Sequence, residues 1–344
     1  MGKYLVVESG DIVFNKLRTW QGGLGASEYK GIVSPAYFVC RPRPDFSSKF
    51  LQYLLLSAPY LQELTRVSKW QPPSQFDITW EQLRQVPIVA PGLSAQQAIA
   101  DYLDAETARI DALIEKKQRM IGLIDDRFSD EVDTRIDGSG APFVRLRWCV
   151  ERIADGTHGT YERLGEGMPL LSSKNLKNGS VVSGENEAWI SVSDYEGIIK
   201  SCQFRHGDIL LGVIGGSIGN VSRLPIGSPL AFQRSVAALR PGARVCADFL
   251  FFVCRSRRFQ DELLLAANTS AQAGVYLGSL GDIRIPFPPL EVQEEIARKL
   301  SQSYPRALHL KDGLTEQIVL LRERRSTLIT AAVTGELEIE GVAA

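Results

Sequence analysis

Apolar positions along the chain fall into two kinds of pattern, and each kind occurs twice. Short apolar runs separated by Gly, Pro, Asn and Ser stand at YLVVE, DIVF, AYFVC and VPIV before residue 92, and again at DILLGVI, VAALR and DIRIPF after residue 205. Runs of this length bounded by turn residues predict short strands joined by loops. A helical stretch, Phe50–Leu64 or Phe249–Leu263, interrupts each set. Each set ends in a Pro-containing stop, VAPGLS or PFPPLE, and is followed by apolar residues at helical spacing. In the first case these are Ile99, Leu103, Ile110, Leu113, Ile121 and Ile124; in the second they are Ile296, Leu300, Leu310, Leu314, Ile318, Leu321 and Leu328. The spacing predicts helices near 94–136 and 291–334, with a kink or break in the second at Pro305 and Gly313. A stripe that long, roughly 60 Å at ~1.5 Å per residue, needs another long helix to bury it, so the two are expected to pack as an antiparallel coiled coil.

The duplication extends to individual residues. At an offset of 197, Glu8–Phe14 overlays Arg205–Leu211, matching Gly10 to Gly207 and Asp11 to Asp208. At 199, Arg41-Pro42 overlays Arg240-Pro241, and Phe50–Leu64 overlays Phe249–Leu263. At 197 again, Gln96, Ile99, Ala100 and Leu103 fall on Gln293, Ile296, Ala297 and Leu300. Collinear matches of this kind indicate one duplicated unit rather than an array of short repeats. The expected division is residues 1–92, a first helix and linker over 93–142 with Asp137–Pro142 as linker, residues 143–290, and a second helix and tail over 291–344. The second copy starts near Phe143, so the first is expected to lack about 54 residues at its front relative to it.

Composition narrows the class. With 44% hydrophobic and 23% charged residues the chain is of ordinary globular make-up. No apolar run reaches the ~18 residues of a membrane span and the amino terminus lacks a signal-peptide pattern, so a cytoplasmic protein is expected. Cys40, Cys149, Cys202, Cys246 and Cys254 form no C-x-x-C pair, and with three histidines no metal site is expected. The net charge of −1 conceals alternating blocks: +3 over 1–92, −5 over 93–142, +3 over 143–290 and −2 over 291–344. The acidic helices make poor surfaces for a polyanion, whereas the basic blocks suit one.

Catalytic groupings are not suggested. GVIGGSIG (Gly212–Gly219) does not open a helix in a βαβ unit and reads as a tight turn between strands, like GGLG at Gly22–Gly25. Glu115 and Lys117 read as a solvated pair on a helix. Binding residues are easier to motivate: Lys16 and Arg18 follow a strand, and Thr157, Ser173, Lys174, Asn175, Gln233 and Arg234 fall in loops. Arg and Lys can bridge guanine, Asn and Gln can bridge adenine, and Lys or Ser can hold phosphates.

Three stretches carry a resemblance over nearly the full length: PFPPLEVQEEIARKL (Pro286–Leu300) with its weaker repeat VAPGLSAQQAIADYL (Val89–Leu103), RRSTLITAAVTGELEI (Arg324–Ile339), and GDIL followed by G-x-x-G (Gly207–Leu210, Gly216–Gly219). The chain resembles the specificity subunit of type I restriction–modification systems, which serve in phage defence. The resemblance implies a mixed α/β (α+β) protein with two target-recognition domains separated by two long antiparallel coiled-coil helices, related by a pseudo-twofold internal repeat. It implies a non-catalytic subunit that reads a bipartite duplex-DNA target, docks two methyltransferase (modification) subunits, and meets restriction subunits through the complex. S-adenosylmethionine, ATP and Mg are then expected only on partner subunits. On this reading Lys16, Arg18, Thr157, Ser173, Lys174, Asn175, Gln233 and Arg234 are the DNA-binding set. Gln96, Ile99, Leu103, Gln293, Ile296 and Leu300 are the partner-binding set. The short front departs from the family and implies an amino-terminally truncated first recognition domain. That leaves an alternative, an assembly or decoy protein that binds methyltransferase subunits without competent reading of both half-sites.

Overall fold

The computed structural model describes residues 4–71, 75–184, 187–227, 229–267, 273–340 and 342. The chain divides into two compact units: residues 1–119 with 314–344, and residues 120–313. The boundary cuts across both long helices, so each unit holds one set of strands plus part of each helix.

Unit 1 opens with strands β1 (Leu5–Val7), β2 (Ile12–Asn15), β3 (Leu24–Ala26), β4 (Gly31–Val33) and β5 (Tyr37–Cys40). Strands β3-β2-β5 form an antiparallel sheet and β1 pairs with β4. Helices α1 (Ser48–Leu56) and α2 (Ala58–Val67) follow, then the hairpin β6 (Lys69–Gln71) and β7 (Gln75–Asp77), the short α3 (Trp80–Leu83), and α4 (Leu93–Asp137). The single helix expected at 50–64 is thus two. Ser57 takes an extended backbone conformation (φ −68°, ψ 152°), and Pro59 beyond it suits a helix start rather than a helix interior. Phe50, Leu54, Leu64, Ile99 and Leu103 form a core closed by Ile329, Ala332 and Val333.

Unit 2 contains β8 (Phe143–Arg145), β9 (Val150–Asp155), β10 (Met168–Leu171), β11 (Leu176–Lys177), β12 (Ser180–Val181), β13 (Ala188–Ile190), α5 (Val192–Cys202), β14 (Ile209–Gly212), β15 (Val221–Arg223), β16 (Ala231–Phe232) and β17 (Val236–Pro241). Then come α6 (Ala247–Arg255), α7 (Arg257–Leu265), α8 (Leu277–Asp282), β18 (Arg284–Pro286) and α9 (Leu290–Thr334). The main sheet runs β15-β14-β17-β9, antiparallel throughout; a mixed sheet runs β13-β10-β16, with β10 and β16 parallel. Gly212–Gly219 is the turn of the β14–β15 hairpin, with Gly215 and Gly219 at positive φ. The core gathers Phe249–Cys254, Phe259, Leu263, Ile296 and Leu300 around Phe128, Val132 and Ile136.

Helix α9 runs on through Pro305 without the break that Pro305 and Gly313 suggested. The proline removes one backbone donor, but neighbouring Leu300 and Tyr304 are buried in the core and hold the segment in place. Within each unit the two helices lie antiparallel. In unit 1, Asp111 meets Arg325 (3.0 Å) and Lys117 meets Gln317 (2.5 Å). In unit 2, Asp125 meets Lys311 (2.6 Å) and the Phe128 and Tyr304 rings lie 5.2 Å apart.

The repeat is a repeat of interactions. Gly10 and Gly207 take φ near +90° (89° and 88°), a conformation glycine adopts without strain. The following aspartate accepts a hydrogen bond from a backbone N–H three residues back, Glu8 or Arg205, and pairs with an arginine at the end of a neighbouring strand. Asp11 meets Arg41 and Asp208 meets Arg240, at 3.0 and 2.9 Å. Arg41 keeps the Asp11 carboxyl below its ordinary pKa despite burial.

Gln96 accepts from Ser47 N–H and donates to the Asp45 and Pro91 carbonyls. Gln293 accepts from Cys246 N–H and donates to the Arg244 and Pro288 carbonyls. Both glutamines are buried, as are Ile99, Leu103, Ile296 and Leu300. The set assigned to partner binding is therefore internal. A polar residue on a helix suggests a surface, but here each amide satisfies backbone groups of the loop that enters α1 or α6 and of the segment leading into its own helix.

Candidate nucleic-acid interface

In unit 2 three of the expected DNA-binding residues meet at one place. Strand β9 is followed by Gly156, where any side chain would collide with the Phe232 and Gln233 carbonyls, so only glycine lets the chain pass this closely over the β16–β17 turn. Thr157 N–H then donates to Phe232 O (2.8 Å), and Arg234 N–H donates to Thr157 O (2.9 Å). These bonds fix Thr157 against Gln233 and Arg234 beside a cavity of about 330 Å³, also lined by His158, Tyr161 and Arg163. The Thr157 and Tyr161 hydroxyls are 2.6 Å apart, and His158 Nε2 lies 2.7 Å from Asp155 Oδ2. Arg163 and Arg234 are exposed and, among the described residues, make no side-chain hydrogen bond or ion pair. A second cavity of about 360 Å³ shares His158 and Arg234 and adds Tyr276. Two free guanidiniums, an amide and an imidazole at one rim can meet base edges and phosphates.

The other unit 2 residues expected there have structural duties. Ser173 and Asn175 are buried. Asn175 accepts from Ser172 N–H and donates to Val182 O and to Glu187. The Ser173 hydroxyl donates to Ile214 O (3.5 Å), and its own carbonyl accepts from the Asn220 amide (3.4 Å). Lys174 is exposed but pairs with Glu187 at 3.4 Å. Burial pushes the Glu187 carboxyl up, and hydrogen bonds from Gly184 N–H, Asn175 and Lys174 more than reverse this. This is a local polar lock, and short polar residues in a turn gave the sequence no means to tell it from a reading loop.

Unit 1 presents a different surface at the equivalent strand end. Lys16 corresponds to Val213: their N–H groups donate to Ala36 O and Ser235 O respectively. Lys16 Nζ donates to Pro35 O (2.8 Å) and sits 4.6 Å from the Phe38 ring centroid, so much of its charge is already engaged. Arg18 is exposed, with no side-chain partner among the described residues. Around them lies an aromatic group: Trp20 and Trp70 flank Phe76 at 5.0 and 4.9 Å, and Trp80 lies 5.8 Å from Phe38. Trp70 and Trp80 are 47% and 46% exposed. The sequence reading picked out Trp20 beside Lys16 and Arg18 but missed Trp70, Phe76 and Trp80, which lie far from them along the chain, and it passed over Tyr161 and Arg163 next to Thr157.

Among the described residues no group of three or more His, Cys, Asp or Glu side chains could hold a metal ion, and no helix is long and apolar enough to cross a membrane. Burial pushes the Cys40 and Cys149 thiols up to about 11. Such thiols stay protonated near neutrality.

Two α/β units share one Asp–Arg and one glutamine arrangement, and the second carries a cationic cavity rim. Residues 160–319 match the type I restriction modification DNA specificity domain. The MjaVIII type I restriction enzyme specificity subunit of Methanocaldococcus jannaschii is 26% identical over 209 residues, 58% of this chain and 47% of that protein. The EcoBI specificity subunit of Escherichia coli is 22% identical over 297 residues, 85% of this chain and 60% of that protein. A solved structure from work on complex assembly and conformational transition of the type I R-M system superposes with a TM-score of 0.66 at 19% identity, covering 98% of this chain and 85% of that one. Residues 160–319 are thus similar to a type I specificity domain, and the chain as a whole shares the fold of that solved structure. The chain spans 47% and 60% of the length of those two curated relatives.

Proposed function

We propose that the protein is a non-catalytic, sequence-specific reader of duplex DNA in a type I restriction–modification complex. Unit 2 reads one half of a bipartite target through Thr157, Gln233 and Arg234, joined by His158 and Arg163. Unit 1 contributes through Lys16, Arg18 and its aromatic group. The observation that carries this reading is the convergence of Thr157, Gln233 and Arg234 on one cavity rim, within a unit matched by the DNA specificity domain. Methyl transfer and cleavage, with their S-adenosylmethionine, ATP and Mg, are assigned to partner subunits.

Two methyltransferase subunits dock on the long helices. Exposed apolar side chains support this: Leu113, Val319 and Leu320 in unit 1, and Met120, Leu123 and Leu310 in unit 2. Apolar residues left bare on an otherwise charged helix suit a protein partner. Leu123→Asp and Leu320→Asp should each lower the number of methyltransferases recovered per chain from two.

The deciding experiment is binding of the full chain, alone and with its methyltransferase, to duplex DNA over a range of salt. A reader binds with an affinity that falls as salt rises and prefers one bipartite sequence. A complex that assembles normally yet binds all duplexes alike would establish an assembly or decoy role instead.

A further inference from the structure

Helix α6 ends in Arg255, whose guanidinium is mostly buried between the rings of Phe251 and Tyr304, at 5.5 and 4.8 Å. Among the described residues it makes no hydrogen bond or ion pair, and its Nε is buried without a partner. Neighbouring charges offset its burial only in part: Asp125 favours the charged guanidinium, and Arg223 opposes it. Arg223, on the same Phe251 ring at 3.6 Å, is paired with Asp248, and Asp125 is held by Lys311 at 2.6 Å. A buried cation without a paired counter-charge is costly, and burial pushes the pKa of this guanidinium down.

Arg255 lines a cavity of about 250 Å³, several times the ~30 Å³ share of one liquid water, and Asp125, whose carboxylate is paired with Lys311, lines it too. Two more donors line it with no side-chain partner among the described residues: the Asn178 amide and the Ser129 hydroxyl. Asn178 stands at φ 50°, a conformation asparagine tolerates better than most residues, and this sets it on the exposed rim. The scaffold does not require an arginine here. The equivalent position at the end of α1 is Leu56, and unit 1 folds around it.

We propose that this pocket binds a tetrahedral oxyanion of the phosphate class, with Arg255 as counter-charge and Ser129 and Asn178 as flanking donors. Charge-assisted hydrogen bonds from a planar guanidinium suit such an anion. The phosphate can be free in solution or carried on a nucleic-acid backbone, and the test separates the two.

Inorganic phosphate is titrated into the full chain by calorimetry, at constant ionic strength, for the wild type, Arg255→Met and Asn178→Asp. The second variant is nearly isosteric, keeps a residue tolerant of the same backbone conformation, and replaces a donor by a negative charge. It therefore decides the matter if Arg255→Met does not fold. Saturable binding by the wild type, weakened about tenfold or more in the variants, supports the site as one for free phosphate. In the second arm the same proteins bind duplex DNA. A sequence-independent loss of affinity, with the salt slope lowered by about one, supports a backbone phosphate as the ligand. If Asn178→Asp changes neither phosphate binding nor DNA affinity, the proposal is overturned.

Discussion

Asp11–Arg41 in unit 1 and Asp208–Arg240 in unit 2 are the same pair in two surroundings. Both carboxylates are buried, but the Arg41 side chain is 70% exposed whereas that of Arg240 is 13% exposed. In unit 2 strand β17, which ends in Arg240-Pro241, is paired on both sides, by β14 and by β9. The Arg240 guanidinium also donates to Gln203 O, beyond α5. In unit 1 the corresponding β5 pairs only with β2 among the described residues, and its arginine reaches solvent. The pair therefore closes the same turn in both units but becomes an interior element only where further strands surround it.

The largest expected effect follows from this difference. Asp208→Ala should destabilise unit 2 by about 3–5 kcal/mol, because it strands a buried guanidinium. Asp11→Ala should cost unit 1 distinctly less, since water can replace the carboxylate around Arg41. Urea unfolding, with hydrogen exchange to assign the loss to each unit, measures both. Equal losses would break the comparison. Asp11 also gives a pH signature. Its folded pKa lies below the unfolded value of about 3.9, so its contribution is complete above that value and disappears as pH falls through the folded one. Asp11→Asn should remove this part of the acid transition and leave stability near pH 7 without further pH dependence from this group.

Next in size come the glutamines. Gln96 and Gln293 make the same three hydrogen bonds and are equally enclosed, so Gln96→Ala and Gln293→Ala should cost alike, about 2–4 kcal/mol each. A large difference would mean that the two long helices are tied to their strands in different ways. The same measurements separate a core role from partner binding. A partner-surface residue would leave chain stability unchanged and weaken assembly alone.

The reading surfaces should differ in kind. Arg234→Ala is expected to relax sequence preference at a definite position by about 1–3 kcal/mol. Lys16→Ala should weaken binding to all sequences alike and lower the salt slope by no more than one. The Lys16 effect should fall short of a full phosphate contact, because its ammonium already binds Pro35 O and the Phe38 ring. Competition binding against duplexes varied one base pair at a time checks both.

The duplication and the long helices were legible because periodicity and collinear identity survive divergence. Helix α4 spans Leu93–Asp137 and α9 spans Leu290–Thr334, within a residue of the ranges 94–136 and 291–334 expected from the stripes and their flanking stops. What the matching residues do was not legible. Gly10-Asp11 and Arg41-Pro42 appeared as separate matches, and only the fold brings the aspartate to the arginine 30 residues on. Asn175 and Arg234 looked equivalent as polar residues between apolar runs. One locks a turn and the other points into solvent, and that choice depends on Glu187 and Phe232, partners distant in sequence.

The smallest contrast concerns the serines that divide each helical stretch. Ser57 and Ser256 are both buried, and each hydroxyl donates to the carbonyl three residues back, Leu54 or Val253. Those carbonyls also accept from the serine's own N–H, so losing the hydroxyl leaves neither unsatisfied. The difference lies on the following helix. Ser256 accepts from Phe259 N–H as a true N-cap, whereas Ser57 makes no such bond. Unit 1 has less need of one: Pro59 contributes no N–H to the first turn of α2, and Ala58 N–H is met by Thr330. Ser256→Ala should therefore cost about 1 kcal/mol, the ordinary value of a lost cap. Ser57→Ala should cost a few tenths at most by the same scale. If Ser57→Ala proved the more damaging in urea unfolding, the hydroxyl-to-carbonyl bond would be the important one, and the two serines would differ through their burial rather than through the caps they supply.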